Sequence, residues 1–292
     1  LNLICLKNIA TPSNQVPLFN GSSEENLHQF NKPIDELNVK PKDKKNIIGG
    51  IQKFKFRDTS VYFDVGESPK KSFSNSYQSG PLSFEYYLGK EKIITNCGFG
   101  CNISSKAELL SRLTSAQSTL TLNDTSVTKF ERNNLINNTF GTSTISSFKV
   151  YDFNLKDDIN TVSASAKHDA YKNNFNYFHE RKLKIDKKTG NLTGEDNLIP
   201  GNNSKKLVNN YSIRFHLYPG INAVQTIGKN SILIQIEKNK SLIFTATGEN
   251  ISLEKSIFLG RNQIINNSCI AISGILKDNE SKIIHWELKR SN

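Results

Sequence analysis

Two short runs of polar residues carry side chains that could move protons. Residues 168–171 read His-Asp-Ala-Tyr, and residues 179–181 read His-Glu-Arg. Together the two runs supply two imidazoles, a phenol, two carboxylates and a guanidinium. Imidazole and phenol act as general acids and bases, and a guanidinium binds anionic groups through its bidentate fork. Both runs are therefore candidates for catalytic chemistry.

The place of His179 and Arg181 in a predicted strand raises a physical problem. By parity, both share the face of Leu183, which belongs to the apolar side of that strand. A polar pair on an apolar face is costly unless its hydrogen bonds are satisfied or its chemistry is used. The alternative to a functional role is that Arg181 pairs with Asp169 or Glu180.

A second polar pair, Arg214 and His216, lies on another predicted strand, on the face opposite Ile213 and Phe215. Such a pair either lines a groove or faces water. A strand histidine is more often a structural, hydrogen-bonded residue than a catalyst, and this alternative holds for the other strand histidines as well. Nucleophile-elbow, phosphate-loop, dinucleotide-binding and His-Glu-x-x-His patterns do not occur in the sequence, so those enzyme classes lack support.

The elements that must position these side chains are mostly strands. From residue 46 onward, apolar and polar residues alternate in about a dozen short stretches separated by turn residues, which predicts half-buried strands. The predicted fold class is mainly β, a large antiparallel β-sandwich over residues 46–292. Ser105 and Glu108 have the spacing of a capping box, which predicts one short helix with Ser105 as its N-cap.

Residues 1–45 differ from the rest of the chain. They contain one weak helical stretch, residues 24–30, and four prolines, at positions 12, 17, 33 and 41. We interpret this region as a short remnant of a preceding helical domain, or as a linker. Because the chain does not begin with Met, we expect it to be an excerpt of a longer product.

Composition limits the classes of partner. The 292 residues include 38 Lys and Arg against 27 Asp and Glu, a formal net charge of +11. This surplus favours polyanionic partners, and the alternative is a solvated, Lys-rich surface. No nucleic-acid-binding motif is visible, so we expect no nucleic acid partner.

No apolar stretch approaches the roughly 20 residues that span a bilayer. The four cysteines form no framework, and we expect buried thiols rather than a disulfide.

Seven short motifs follow one another along the chain. They are LSFE (82–85), NCG (96–98), AQSTL (116–120), HDAY (168–171), HER (179–181), GED (194–196) and RFH (214–216). Their order resembles the C-terminal domain of the heparinase II/III-like family, over residues 16–290. Residues 16–21 also resemble the end of the helical domain that precedes it in a bacterial branch of that family.

The resemblance implies a layout and an activity. Family members combine an N-terminal α/α toroid with a β-sandwich and bind an acidic polysaccharide between the two. Members with known activity are polysaccharide lyases, which cleave uronate-containing chains by β-elimination. This reaction needs a group that neutralises the uronate carboxylate, a base that removes the C5 proton and an acid that protonates the leaving oxygen.

Carried over motif by motif, the resemblance assigns roles to residues of this chain. It predicts His168 and His179 as acid–base or orienting groups and Tyr171 as a proton donor. The predicted substrate contacts are Arg181, Arg214, His216, Gln78 and Gln117. Since the family's toroid supplies much of its catalytic machinery, we expect this chain to be inactive alone. A polysaccharide substrate suggests the periplasm or the cell envelope as its location.

Three departures from the family pattern argue against a metal site. Gln78 and Gln117 stand where related sequences often have His, and Asn96 stands where metal-binding members have Asp. Amides are poor replacements for imidazole and carboxylate as metal ligands. We therefore expect no metal and no other cofactor. The same losses support an alternative function, a non-catalytic module that binds acidic polysaccharide or serves cell-envelope assembly.

Overall fold

The structure is a computed structural model, and it describes residues 2–27, 47–133, 137, 141–202, 210–237, 240–277 and 279–291. Within these residues, two antiparallel sheets bury one shared hydrophobic core. Alternating apolar and polar residues produce this arrangement, because a strand presents every second side chain to the same face. The expected mainly β sandwich is confirmed.

The first sheet lies largely in the first half of the chain. It contains β1 (Ile47–Ile48), β2 (Ile51–Phe56), β3 (Thr59–Asp64), β4 (Phe84–Leu88), β5 (Glu91–Thr95), β6 (Leu120–Leu122), β11 (Asn210–Leu217), β15 (Asn250–Phe258) and β16 (Ile265–Ile275). The order across the sheet is β1-β2-β3-β4-β5-β11-β16-β15, and the short β6 also pairs with β11. Strand β11 is therefore central, and it carries the RFH motif.

The second sheet carries the other candidate residues. It contains β7 (Val150–Asp157), β8 (Thr161–His168), β9 (Tyr177–Asp186), β10 (Leu192–Pro200), β12 (Asn222–Gln225), β13 (Ser231–Glu237), β14 (Lys240–Ala246) and β17 (Lys282–Ser291). Its order is β12-β13-β14-β17-β10-β9-β8-β7. The register places His168 of β8 directly opposite His179 of β9, and Arg181 of β9 opposite Asp196 of β10.

Aromatic side chains from both sheets meet in the core. The indole of Trp286 lies 4.8 Å from the ring of Phe215 and stacks on Phe84, with centroids 5.6 Å apart. All three side chains are at most 3% exposed. Burying a large apolar side chain contributes about 1.5–3 kcal/mol, so this cluster is a principal link between the sheets.

The helices differ from the sequence expectation in several places. The described helices are α1 (Asn2–Ile9), α2 (Ser105–Ser111) and the single turn α3 (Lys172–Phe175). The N-cap of α2 is Ser104, whose Oγ accepts a hydrogen bond from the Ala107 N–H at 3.1 Å, so the assignment to Ser105 is wrong by one residue. Residues 24–27 are not helical, and residues 28–30 lie outside the described residues. Helix α1 was not expected.

Residues 2–27 pack against the face of the first sheet that points away from the main core. Phe19 contacts Tyr62 in a separate hydrophobic cluster. The Lys53 ammonium and the Tyr62 hydroxyl both donate to the carbonyl oxygen of Ala10 just after α1, each at 2.7 Å. Burial lowers the pKa of Lys53 to about 8. The division of the chain at residue 45 stays a prediction. None of the described helices has the length and apolarity to cross a bilayer.

Candidate functional site

Arg181 forms a buried ion pair with Asp196 on the neighbouring strand. Its Nε donates to Asp196 Oδ1 at 2.7 Å, and its Nη2 donates to Oδ2 at 3.1 Å. Both side chains are 0% exposed. The alternative pairing of Arg181 with Asp169 or Glu180 is therefore wrong. Asp169 follows the end of β8, and Glu180 points to the opposite face of β9 from Arg181.

A chain of hydrogen bonds links both candidate histidines to the same carboxylate. The Ala170 N–H donates to His168 Nδ1 at 3.2 Å, so His168 Nε2 carries the proton and donates to His179 Nδ1 at 3.2 Å. His179 Nε2 then donates to Asp196 Oδ1 at 2.7 Å. Burial lowers the pKa of both imidazoles, and both are therefore neutral at neutral pH. This series of hydrogen bonds ends at the backbone N–H of Ala170, which offers no proton to a substrate.

The motif Gly-Glu-Asp completes this network from β10. The indole N–H of Trp286 donates to Asp196 Oδ2 at 2.9 Å. A Cβ on Gly194 would lie 2.0 Å from the Trp286 ring, so only glycine lets the indole lie over this strand. Burial alone would favour the neutral acid. The Arg181 charge and the His179 hydrogen bond overcome burial and hold the pKa of Asp196 well below its usual range.

Arg181 also reaches across the core to the first sheet. Its Nη1 donates to the carbonyl oxygens of Leu82 and Ser118, both at 2.8 Å. Its guanidinium lies over the Phe84 ring, with Cζ 5.5 Å from the centroid. The network therefore pins β9 and β10 to the segments that lead into β4 and β6. We call His168, His179, Arg181, Asp196 and Trp286 the buried network.

Tyr171 is enclosed in the same part of the core. Its hydroxyl donates to the carbonyl oxygen of Leu120 at 2.9 Å, and burial raises its pKa. With His168, His179 and Arg181 it is at most 1% exposed, so none of the four reaches the surface of the described part of the sandwich. Their catalytic and substrate-binding roles stay predictions, and the geometry favours a structural role.

Arg214 and His216 do meet at an open cavity. They lie on the face of β11 opposite the buried Ile213 and Phe215, as parity predicts. The cavity has a volume of about 480 Å³ and is bounded by β11, β15, β16 and residues 110–116. We call it the Arg214 pocket. Its size falls within the range of roughly 300–1,000 Å³ that is usual for ligand sites.

His216 is fixed in the wall of the Arg214 pocket. Its Nε2–H donates to the Ser115 carbonyl oxygen at 3.0 Å, and the Ser256 hydroxyl donates to its Nδ1 at 2.9 Å. Burial lowers the pKa of His216 to about 4, so the ring is neutral at neutral pH. Because both ring nitrogens have partners, the imidazole positions β11, β15 and the turn at residue 115. It offers no free base to a ligand.

Arg214 keeps part of its guanidinium open to solvent. Nη1 donates to Thr121 Oγ1 at 3.1 Å, and Nη2 lies 3.5 Å from Asp124 Oδ1. The side chain is 20% exposed, in contrast to the fully enclosed Arg181. The exposed Lys255 and Glu254 of β15 also line the pocket. An anionic ligand in the pocket can therefore contact the guanidinium.

Gln78 and Gln117 meet beneath the end of α2 rather than in the Arg214 pocket. The Nε2 atoms of both side chains donate to the Ser111 carbonyl oxygen, at 2.9 and 2.7 Å. Gln78 also donates to the Gly98 carbonyl oxygen at 3.0 Å and accepts the Gly21 N–H at 3.1 Å. Their predicted role as substrate contacts stays a prediction, since both side chains are at most 2% exposed.

The third departure from the family pattern is Asn96. We call Gln78, Asn96 and Gln117 the amide cluster. Asn96 donates to the Leu18 carbonyl oxygen at 3.0 Å and accepts the Ser118 N–H at 2.9 Å. A metal site requires lone pairs that converge on one point, whereas here the NH₂ groups of Gln78 and Gln117 converge on a carbonyl oxygen. These residues do not fit a divalent metal. They instead fasten residues 18–21 to the sandwich.

Sequence reasoning missed the residues that complete both regions. Asp196 accepts hydrogen bonds from His179, Arg181 and Trp286, and its only sequence signal is its place in the GED motif. Lys255 and Ser256 come from β15, whose polar and apolar residues do not alternate cleanly. The sequence gives no signal that β16 lies between β11 and β15, because strand order depends on residues that are far apart in the chain.

A sequence profile described as "Heparinase II/III-like, C-terminal" matches residues 42–287 of the chain. The chain belongs to the heparinase II/III-like family. The resemblance seen in the order of the motifs is thereby confirmed, and the family is one of polysaccharide lyases.

Solved structures agree with this heparinase II/III-like assignment at the level of fold. A heparan sulfate lyase from Pedobacter heparinus has a TM-score of 0.75 and 14% identity, over 99% of this chain and 46% of the lyase. A structure described as "Heparinase III-BT4657 gene product" has a TM-score of 0.75 and 12% identity, over 97% of this chain and 45% of its own. At such identities the likeness shows the fold alone.

One curated relative is similar in sequence to this heparinase II/III-like chain. FtsZ-localized protein C from Caulobacter vibrioides is 25% identical over 185 residues, which is 61% of this chain and 31% of that protein. The chain thus spans less than half the length of each protein compared.

Proposed function

We propose that this chain is the sandwich part of a polysaccharide lyase, and that the Arg214 pocket binds a uronate-containing acidic polysaccharide. Cleavage by β-elimination would take place where this pocket meets a preceding helical toroid domain. Neither membrane insertion nor nucleic acid binding is part of this function. A polymer of this kind suggests the periplasm or the cell envelope as the location.

The observation that carries the proposal is the partly open guanidinium of Arg214 in a cavity on the outer face of the sandwich. A guanidinium binds a carboxylate through two parallel, charge-assisted hydrogen bonds. Leu110 and Ile257 present exposed apolar surface at the same cavity, 42% and 39% exposed. Apolar walls with a few placed polar groups suit the C–H faces and hydroxyls of a sugar.

The pocket can supply one of the three requirements of β-elimination. Arg214 would neutralise the uronate carboxylate, which lowers the energy of the enolate-like intermediate. The base and the acid must come from elsewhere, because both nitrogens of His216 are occupied and His168, Tyr171 and His179 are at most 1% exposed. This division of labour agrees with the expectation that the chain is inactive without its toroid.

A second candidate function is a non-catalytic module that binds acidic polysaccharide in the cell envelope. Two observations favour it: His168, Tyr171 and His179 are enclosed, and the amide cluster occupies the positions of the family's metal ligands. In this case Arg214 binds the polymer in the same way, and no bond is cleaved.

An absorbance assay separates the two candidates. Full-length protein, with its upstream domain, is incubated with a panel of uronate polymers while the ultraviolet absorbance of the unsaturated uronate product is followed. A rise that Arg214→Gln reduces supports the lyase. Binding of a polymer without any rise supports the non-catalytic module. No binding and no rise on any polymer would contradict both.

A further inference from the structure

A carboxylate on the outer side of the first sheet is shared by three donors. Glu24 Oε2 accepts hydrogen bonds from Arg261 Nε at 2.7 Å and from the Tyr218 hydroxyl at 3.1 Å, and its Oε1 lies 3.4 Å from Lys92 Nζ. The side chains of Glu24 and Lys92 are at most 3% exposed, whereas that of Arg261 is 45% exposed. We call Glu24, Lys92, Tyr218 and Arg261 the Glu24 clamp.

The charges of the Glu24 clamp are balanced by one more carboxylate. Lys92 Nζ lies 3.4 Å from Glu85 Oε1, and the Tyr87 hydroxyl donates to Glu85 Oε2 at 2.8 Å. Two carboxylates therefore face two cations, Lys92 and Arg261. Loss of one member of such a group leaves its partners buried without a counter-charge. This balance holds the Glu24 carboxylate firmly in place.

The Glu24 clamp joins two segments that are far apart in the chain. Glu24 belongs to a loop, residues 14–27, and Arg261 belongs to the turn between β15 and β16. The Glu24 N–H donates to the Gly260 carbonyl oxygen in that turn at 2.7 Å. A Cβ on Gly260 would lie 2.9 Å from Leu18 Cδ1, so the loop also packs directly on the turn. The loop therefore holds the tip of the β15–β16 hairpin.

The same hairpin forms a wall of the Arg214 pocket. Residues 254–257 and Leu259 line the pocket, and the turn begins at this leucine. In the described part of the first sheet, β15 is an edge strand and pairs only with β16. The hydrogen bond between Ser256 and His216 fixes the middle of the wall. The Glu24 clamp fixes its tip.

We infer that the Glu24 clamp regulates polymer binding by holding this wall in its binding position, with Glu24 and Arg261 as positioning residues. The inference rests on the function proposed above and adds a route by which a preceding domain acts on the site. Helix α1 and residues 14–27 connect such a domain to the hairpin. A shift of that domain would move Glu24, and the wall would move with it.

The test measures the affinity of this chain for polyglucuronate, a uniform uronate polymer, at an ionic strength of about 0.15 M. Arg261→Gln breaks the clamp at its most exposed charged member and should weaken binding by about fivefold, although Arg261 does not line the pocket. The effect is limited, because the Leu259 N–H still donates to the Cys97 carbonyl oxygen at 2.6 Å.

Arg290→Gln is the matched control for the loss of an arginine. Arg290 forms an ion pair with Asp58 at 2.6 Å, is also partly exposed and does not line the pocket. The control removes the same charge and a similar ion pair, and it should leave the affinity for polyglucuronate unchanged. All affinities are measured well below the melting temperature of each variant, so that unfolding does not contribute.

Glu24→Gln separates position from charge. The substitution makes the chain more positive, so a general electrostatic effect would tighten binding of an anionic polymer. Loss of the clamp weakens binding instead, and we expect a fall of about fivefold. Tyr218→Phe changes no charge and removes one hydrogen bond to Glu24, so it should weaken binding by about threefold and decides the test if Glu24→Gln does not fold.

Hydrogen–deuterium exchange of the free chain reports on the wall itself. Backbone amides in residues 254–262 should exchange faster in the clamp variants, while those in β9 should not change. Faster exchange with unchanged affinity would make the Glu24 clamp purely structural and would overturn the inference.

The failures of the inference and of the proposed function are distinguishable. Unchanged or tighter binding in Glu24→Gln and Tyr218→Phe, together with a loss in Arg214→Gln, would overturn the clamp and leave the Arg214 pocket as the polymer site. Binding that ignores Arg214→Gln and the clamp variants alike would overturn both. Equal losses in Arg261→Gln and Arg290→Gln would indicate an effect of general charge and would also overturn the clamp.

Discussion

Two regions of the molecule use the same pair of residue types, a histidine and an arginine two positions apart on one strand. On β9, His179 and Arg181 point into the core, and every nitrogen that donates has a protein acceptor. On β11, Arg214 and His216 point away from the core and line an open cavity. The face of the strand therefore decides whether the pair supports the fold or can meet a ligand.

The largest expected effect tests the structural side of this comparison. Asp196→Asn removes the charge that pairs with Arg181 and leaves a guanidinium buried without a counter-charge. Breaking a buried ion pair in this way costs about 3–5 kcal/mol. Urea unfolding should show a fall of this size in the free energy of unfolding.

The neighbouring carboxylate provides the control for that measurement. Glu195→Gln changes a 40% exposed side chain that lies 3.5 Å from His285, and surface pairs contribute about 0–1 kcal/mol. If Asp196→Asn were as mild as Glu195→Gln, the buried network would not be a structural link.

The pH dependence of stability gives the next largest effect, at His216. Its pKa is about 4 in the folded chain and 6.5 in the reference state, so below pH 6.5 the unfolded chain binds a proton that the folded chain does not. Stability from this group is complete above pH 6.5 and falls as pH drops toward 4. At about 1.4 kcal/mol per pKa unit, the loss is up to about 3 kcal/mol.

Substitution isolates this contribution. His216→Gln should flatten the fall in the free energy of unfolding between pH 6.5 and 4, while His285→Gln, at an exposed position, should leave it unchanged. The slope that remains has opposing contributions, because burial lowers the pKa of His168 and His179 and raises that of Asp64 to about 7. An unchanged slope in His216→Gln would contradict the assignment of a neutral, buried imidazole.

The amide cluster should give a smaller effect. Gln78→Ala leaves the buried carbonyl oxygen of Gly98 and the N–H of Gly21 without this partner, which costs about 1–3 kcal/mol. The exposed Gln235→Ala is the matched control. A chelator should leave the melting temperature of the unsubstituted chain unchanged. A clear drop would contradict the conclusion that these residues do not fit a metal.

The smallest effect on stability is expected at Arg214. Its partners are Thr121 and the 71% exposed Asp124, so Arg214→Gln should change the free energy of unfolding by less than about 1 kcal/mol. Polymer affinity should nevertheless fall about tenfold. The opposite pattern, lost stability with unchanged affinity, would place Arg214 with the buried network rather than with a ligand site.

Local pattern was sufficient to predict much of the fold. Period-two alternation predicted the sandwich, and parity placed His179 and Arg181 on the inner face and Arg214 and His216 on the outer face. These are properties of a single strand, and each depends only on neighbouring residues.

Long-range pairing could not be read in the same way. Asp196 reaches Arg181 only through the register of β10 on β9, and Ser256 reaches His216 only because β15 and β11 both flank β16. The resemblance assigned catalytic and binding roles to residues within 168–181. Whether their side chains are exposed, however, depends on what packs against the second sheet. That is why the sequence suggested catalytic groups where the structure has an enclosed network.

Hydrogen–deuterium exchange with and without a uronate polymer tests the contrast between the two regions most directly. We expect slower exchange of backbone amides in residues 113–116 and 254–257, which border the Arg214 pocket, and no change in β9. Protection of residues 177–186 with none at the pocket would contradict the assignment of polymer binding to the Arg214 pocket and of structural support to the buried network.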